Sequence, residues 1–88
     1  MKEICIQLAA LLHTNYEFRW SAVFSAFGSN NYLTDKDLAR AIQQLYSGAR
    51  SFNDLILYKD AMPGVSENNQ VAVLRQELFT KVKQALTT

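Results

Sequence analysis

Side chains that could carry out chemistry are few in this sequence. His13 is the only histidine and Cys5 the only cysteine. Nucleophilic catalysis needs a serine, cysteine or threonine beside an oriented histidine, and a zinc site needs several nitrogen or sulfur ligands at defined spacing. Neither residue has such a partner, so we expect no catalytic residue, no metal site and no cofactor. We expect Cys5 to be a small buried residue.

Two pairs of acidic residues lie close together along the chain, Asp35 with Asp37 and Asp54 with Asp60. Paired carboxylates act as general acid and base when they face each other. Helix capping explains the first pair, and the spacing of the second pair defines no geometry. The glycines stand singly, so the sequence contains no phosphate-binding loop. We therefore expect a protein without enzymatic activity.

The stretch of residues 46–58 fits no amphipathic helix. Ser51 is a candidate N-cap for a short helical turn, with Asp54 at the capping-box position. A short buried strand over residues 55–58 is the alternative, since periodicity does not separate the two at this length. We favour the helical turn because the chain offers no partner strand, and an unpaired strand leaves its backbone groups without hydrogen bonds.

Two roles are open for this stretch. In a structural role, its polar side chains hydrogen-bond the backbone groups left free where the third helix ends, and its apolar side chains fill the core. In a recognition role, Arg50, Asn53 and Asp54 form an exposed polar site between two tyrosines. The structural role would use Ser51, Asn53 and Asp54 with Phe52, Leu55 and Leu57. The candidate binding residues are Tyr46, Arg50, Phe52, Asn53, Asp54 and Tyr58.

Apolar residues recur at helical spacing in four segments, which predicts four helices. The first covers residues 2–14. The second covers residues 15–27, with Asn15 as its N-cap and Gly28 as a left-handed C-terminal residue. The second helix has the heaviest apolar stripe, and Trp20 is the expected anchor of the core. That stripe consists of Tyr16, Trp20, Val23, Phe24 and Phe27.

The third predicted helix covers residues 35–47 and follows the N-cap Thr34. The fourth runs from its cap Ser66 to about residue 86 and carries the longest apolar stripe. The sequence therefore predicts an all-α fold in which residues 1–88 form a single compact domain. Four helices are expected, with a short helical or irregular insert between the third and the fourth.

Composition and charge limit the classes of partner. Of the 88 residues, 49% are hydrophobic and 19% are charged, which is typical of a globular chain. The net charge of +1 provides no field that attracts nucleic acid or an anionic membrane. A helix-turn-helix reader would also carry Asp35 and Asp37 at the start of its recognition helix. We expect no nucleic acid and no membrane as a partner, and a lone cysteine fits a cytoplasmic location.

Three apolar residues, Ile6, Phe18 and Val73, lie away from the main stripes of their helices. A contiguous apolar surface marks an interface, either with another protein or within a homodimer. The leading expectation is therefore a non-catalytic protein-interaction module, such as an immunity-like protein or a small adaptor or regulator. The alternative is a small ligand-binding protein or enzyme that uses the polar site formed by Arg50, Asn53 and Asp54.

The motif G-x-x-S-F-N-D-L-x-L, which begins at Gly48, resembles the centre of a family of small, functionally uncharacterised bacterial proteins. Trp20 in the second helix and the amphipathic last helix agree with the same family. Arg50 stands where the family has glycine, and a side chain there disfavours a left-handed backbone. The resemblance implies a small helical fold and assigns no activity.

Overall fold

The computed structural model describes residues 1–47, 51–59 and 62–87. Within these ranges the chain forms four α-helices, two 3-10 turns and one antiparallel pair of two-residue strands. The helices are α1 (Lys2–Thr14), α2 (Phe18–Gly28), α3 (Asp35–Gln43) and α4 (Val65–Thr87). The 3-10 turns cover Gln44–Tyr46 and Phe52–Asp54, and the strands are β1 (Tyr58–Lys59) and β2 (Met62–Pro63). The predicted all-α fold is confirmed, with a small hairpin added to it.

Helix α1 has the predicted bounds and packs against both α2 and α4. Its buried residues recur at helical spacing and point toward the centre of the domain. Ser21 of α2 is buried at the contact between the first two helices, and its hydroxyl donates to the carbonyl of Ala9 at 2.7 Å. The buried residues of α1 are Ile4, Cys5, Leu8, Ala9 and Leu12.

The junction of α1 and α2 differs from the prediction. Tyr16 has a φ of 65°, in the left-handed region. The N–H groups of Tyr16 and Glu17 donate to carbonyls in the last turn of α1, at 3.1 and 2.8 Å. These two bonds form a Schellman motif that ends α1. Asn15 therefore belongs to the end of the first helix, and α2 begins only at Phe18.

The aromatic core also differs from the prediction. Phe24 and Phe52 are fully buried, whereas Trp20 is only partly buried against them. The ring centroids of Phe24 and Phe52 lie 4.7 Å apart, and that of Trp20 lies 5.6 Å from Phe52. Tyr16 was expected in the buried stripe of the second helix but is 81% exposed. It precedes the first residue of α2, so the periodicity of that helix does not apply to it. The centre of the core is therefore a phenylalanine pair with Trp20 at its edge.

Gly28 has a role other than the predicted left-handed cap. It is the last residue of α2, and Ser29 follows as the C-cap with a φ of −98°. A Cβ atom at Gly28 would lie 2.7 Å from Cγ1 of Ile6. Glycine at this position therefore permits the close approach of α1 and α2.

Thr34 caps α3 as predicted, since its hydroxyl accepts a hydrogen bond from the N–H of Asp37 at 3.2 Å. The helix ends at Gln43, and the 3-10 turn Gln44–Tyr46 extends it over nearly the predicted length. The buried residues of α3 are Leu38, Ala39 and Ile42.

Helix α4 spans 23 residues, which corresponds to about 35 Å, in a molecule whose longest dimension is 42 Å. It begins at Val65, one residue before the predicted cap Ser66. Its fully buried residues are Val71, Leu78 and Val82. No helix in the described part of the chain is long and apolar enough to cross a membrane.

Candidate functional site

The insert, which we define as residues 51–59, forms a 3-10 turn, an extended stretch and then β1. The predicted helical turn is confirmed at Phe52–Asp54. The expectation that the chain offers no partner strand is wrong, because β1 pairs with β2 and Tyr58 lies opposite Pro63. Proline has no N–H to donate to a neighbouring strand. Pro63 is tolerated because the hydrogen bond at this end of the strand pair comes from Gly64, whose N–H donates to the carbonyl of Leu57 at 3.0 Å.

Side chains of α4 pair with the backbone of the extended stretch. The Asn68 amide accepts a hydrogen bond from the N–H of Leu57 at 2.8 Å and donates to the carbonyl of Leu57 at 2.9 Å. The same amide donates to the carbonyl of Gly64 at 2.6 Å. Seven residues further along α4, Nη2 of Arg75 donates to the carbonyl of Leu55 at 3.2 Å. These two side chains take the place of a neighbouring strand.

Arg75 is a central residue of the site that sequence reasoning missed. Its Cζ lies 4.9 Å from the ring centroid of Phe52, in cation–π geometry. Its backbone carbonyl accepts a hydrogen bond from the Tyr46 hydroxyl at 2.9 Å. The signal that could have found it is its spacing of seven residues from Asn68, which places both side chains on one face of α4.

The environment of Arg75 shifts two pKa values. Burial lowers the pKa of the Arg75 guanidinium, and Tyr46 and the nearby Asp54 carboxylate offset part of that effect. Burial also raises the pKa of Tyr46 well above its ordinary value, which the Arg75 charge partly counters. Nε of Arg75 is sealed from solvent and has no hydrogen-bond partner among the described residues. Within the same ranges the only ion pair joins Arg40 to Asp37, so Arg75 has no paired carboxylate.

The predicted site residues separate into different environments. Asn53 donates from its side-chain amide to the carbonyl of Tyr46 at 2.9 Å and so satisfies the end of the 3-10 turn, as the structural role requires. Ser51 makes no side-chain capping bond, so the expected capping box with Asp54 does not form. The Asp54 side chain is exposed and makes no hydrogen bond within the described residues.

The other predicted site residues also differ in exposure. Phe52 is fully buried and Tyr46 partly buried, so both belong to the core and its edge. Tyr58 is 63% exposed. Arg50 lies outside the described residues. Leu57 is buried and Leu55 partly buried, as the structural role predicts.

Open cavities border the insert. The Arg75 cleft, of about 390 Å³, is lined by Tyr46, Asn53, Ala72, Arg75, Gln76 and Phe79. A second cavity of about 440 Å³ shares Asn53 and Arg75 with it and extends to Ile56, Pro63 and Val65. Asn53 and Arg75 thus lie where the two cavities meet.

Large apolar side chains of the insert and the hairpin are exposed. We call Ile56, Tyr58, Pro63 and Val65 the hairpin surface. Ile56, Tyr58 and Val65 are 49%, 63% and 75% exposed, and Pro63 is also exposed. Ile56, Pro63 and Val65 line one cavity, and Pro63 lies directly opposite Tyr58 in the strand pair, so the four lie together. Met62 lies opposite Lys59, so its 69% exposed side chain points to the other face of the hairpin. Along the extended stretch Ile56 and Tyr58 face solvent, while Leu57 between them is buried.

The three apolar residues predicted to lie off the main stripes are exposed, but they do not form one surface. Phe18 packs edge-on against His13, with a centroid distance of 5.0 Å, at the start of α2. Ile6 lies beside Gly28 at the other end of that helix. Val73 lies in the middle of α4 and is 57% exposed.

Cys5 has the environment predicted for it. The residue is fully buried, and burial raises the pKa of its thiol to about 11. A thiol is unreactive while it stays protonated. The described residues contain no group of three or more histidine, cysteine or acidic side chains placed to hold a metal ion.

Comparisons with protein-family models, curated proteins and solved structures found no match to this chain. The resemblance carried by G-x-x-S-F-N-D-L-x-L stays a prediction, and function is inferred from the geometry of the site alone.

Proposed function

We propose that this protein is a non-catalytic protein-interaction module that binds its partner through the hairpin surface. Such a module would neutralise or regulate its partner, as an immunity protein or a small adaptor does. We place it in the cytoplasm, where a buried, reduced Cys5 is stable.

The observation that carries the proposal is a short segment with apolar side chains on both of its sides, of which one side is buried and the other exposed. In an antiparallel arrangement the side chains facing the core are apolar, and those facing solvent are normally polar. Here Leu57 faces the core, while Ile56 and Tyr58 are apolar or aromatic and face solvent. Contiguous exposed apolar residues of this kind are typical of protein interfaces.

A polar rim adjoins the hairpin surface. A cavity of about 560 Å³ is lined by Glu17, the residue before α2, by Arg19 of α2 and by Asp54 of the insert, together with Ile56 and Tyr58. Interfaces commonly combine an apolar centre, rich in tyrosine and methionine, with a charged rim. The rim contains both signs of charge, so it favours a partner of mixed charge over a nucleic acid.

The test is recovery of a crosslinked partner from the native host with wild-type protein and with Ile56→Glu/Val65→Glu, which changes two exposed residues of the same cavity. Val73→Glu is the matched control, because Val73 is about equally exposed on a different part of the surface. We expect wild type and the control to recover the same partner and the double variant to lose it. Recovery of the same partner by all three proteins would contradict the proposal.

The homodimer is a separate outcome of the same variants. If light scattering shows a dimer of wild type that Ile56→Glu/Val65→Glu converts to a monomer, a second copy of the chain is the partner.

A further inference from the structure

We propose that the Arg75 cleft binds a carboxylate attached to a small apolar group. This inference concerns the side chains of α4 and the third-helix end, and it does not depend on the hairpin surface.

The first observation is an incompletely used guanidinium. Arginine carries five N–H donors, and among the described residues Arg75 makes one side-chain hydrogen bond, to the carbonyl of Leu55. Phe52 covers a face of the guanidinium, and Nε is out of contact with water. A partly buried cation without an ion-pair partner is costly, and an anion that reaches it is stabilised accordingly.

The second observation is the position of Asp54, the carboxylate whose charge influences Arg75. Asp54 lies close enough to influence Arg75, yet no ion pair joins them. Asp54 lines the cavity beside α2, whereas Arg75 lines the cleft beside Phe79 and Gln76. The Arg75 cleft is therefore open to a carboxylate from outside the protein.

The lining of the cleft decides between anions. Among the described residues Arg75 is the one cationic side chain that lines it. Lys83, further along α4, lies over the ring of Phe79, with its Nζ 5.2 Å from the ring centroid. A single planar guanidinium matches one carboxylate, whereas a phosphate dianion would need further positive charge. The amides of Asn53 and Gln76 supply polar contacts beside it.

The aromatic side of the cleft favours an apolar body on the ligand. The rings of Tyr46 and Phe79 lie 5.3 Å apart and form one wall. A cavity of about 390 Å³ is at the small end of the range for ligand sites. The cleft thus suits a small aromatic or branched aliphatic acid, or the C-terminal residue of a peptide.

The test is a titration with phenylacetate, followed by the backbone amide signals and the Nε–H signal of Arg75 in two-dimensional ¹H–¹⁵N spectra. Phenylacetamide is the neutral control ligand. We expect a saturable change at Asn53, Arg75 and Gln76 with the acid and none with the amide. The absence of saturation with the acid, or an equal response to the amide, would overturn the proposal.

Variants separate a specific site from general attraction to positive charge. Arg75→Gln and Lys81→Gln each remove one positive charge from α4, but only the first alters the cleft, because Lys81 is exposed and borders a different cavity. We expect Arg75→Gln to weaken binding about tenfold or more, the effect of a charge-assisted hydrogen bond, and Lys81→Gln to leave it nearly unchanged. Equal weakening by both variants would overturn the proposal.

Two further variants keep the test decisive if Arg75→Gln fails to fold. Arg75→Lys retains the charge but not the planar fork, so binding should still weaken. Asp54→Asn removes a competing negative charge, and binding should tighten about threefold. Unchanged affinity in both variants would count against the site.

Two further ligands, the tripeptide Ala-Ala-Phe and its C-terminal amide, distinguish a peptide C-terminus from a free acid as the natural ligand. Tighter binding of the tripeptide than of phenylacetate assigns the site to a peptide terminus, and the reverse assigns it to a free acid. Binding of the peptide amide as tight as that of the free peptide would contradict carboxylate recognition.

Discussion

At the scale of single residues, neighbours in the insert have opposite roles. Asn53 donates to the carbonyl of Tyr46, which is left free where the 3-10 turn ends. Asp54, next to it, is exposed and makes no hydrogen bond among the described residues. Asparagine and aspartate both favour turns and helix ends. Their identities therefore did not show which of the two would hydrogen-bond the backbone.

We expect Asn53→Ala to lower the free energy of unfolding by about 1 kcal/mol, the typical contribution of one such hydrogen bond. Asp54→Ala should change it by less than about 0.5 kcal/mol, because exposed residues without partners contribute little. Urea denaturation of both variants measures the difference. A larger loss for Asp54→Ala than for Asn53→Ala would show that the carboxylate has a structural role.

At the scale of elements, the insert is stabilised by a helix rather than by a sheet. Asn68 and Arg75 project from α4 and hydrogen-bond the backbone of Leu57 and Leu55. This arrangement lets an extended stretch enter the core without a neighbouring strand on that side. Leu57 can then be buried at 2% exposure although its flanking residues are solvent-exposed.

Asn68→Ala should therefore be strongly destabilising. It removes three hydrogen bonds and leaves the N–H of Leu57 without that partner. We expect a loss of about 2–3 kcal/mol, the range for a stranded buried polar group plus lost bonds. Asn69→Ala, at the exposed neighbouring position, is the control and should be nearly neutral. Equal unfolding midpoints in urea for the two variants would be inconsistent with this pairing.

At the scale of the whole molecule, the core contains two groups that resist deprotonation. Burial raises the pKa of Cys5 from 9.0 to about 11 and raises that of Tyr46 well above its ordinary value near 10. Cys5 belongs to α1, whereas Tyr46 contacts Arg75 of α4. Ionisation of either group favours the unfolded state, in which the anion is hydrated.

Stability is therefore expected to depend on pH in the alkaline range. Because both folded pKa values lie above the unfolded values, their contribution is fully present below about pH 9 and is lost as the pH rises further. Each group adds a slope of at most about 1.4 kcal/mol per pH unit. Urea denaturation at a series of pH values measures this slope, and Cys5→Ala should reduce it. A flat profile up to pH 11 in the wild type would contradict the burial of both groups.

The sequence by itself determined the number of helices, the bounds of α1, the cap of α3 and the helical turn at Phe52–Asp54. Each depends on local periodicity or on a side chain bonding its own neighbours, and such interactions are readable over a few residues. The local sequence pattern also correctly predicted that Phe52 and Leu57 are buried in the core, as the structural role of the insert requires.

Only the tertiary structure decided what the site consists of. Asn68 and Arg75 meet the insert across 11 and 20 residues of sequence, and no local pattern encodes those contacts. Gly28 was misread for the same reason, since its close contact with Ile6 depends on how α1 and α2 approach each other. Tyr16 was misread for a local reason, because the left-handed position of the Schellman motif is occupied by a tyrosine instead of the usual glycine. Contacts between distant segments arise from packing the whole chain, and in this protein they assemble both the hairpin surface and the Arg75 cleft.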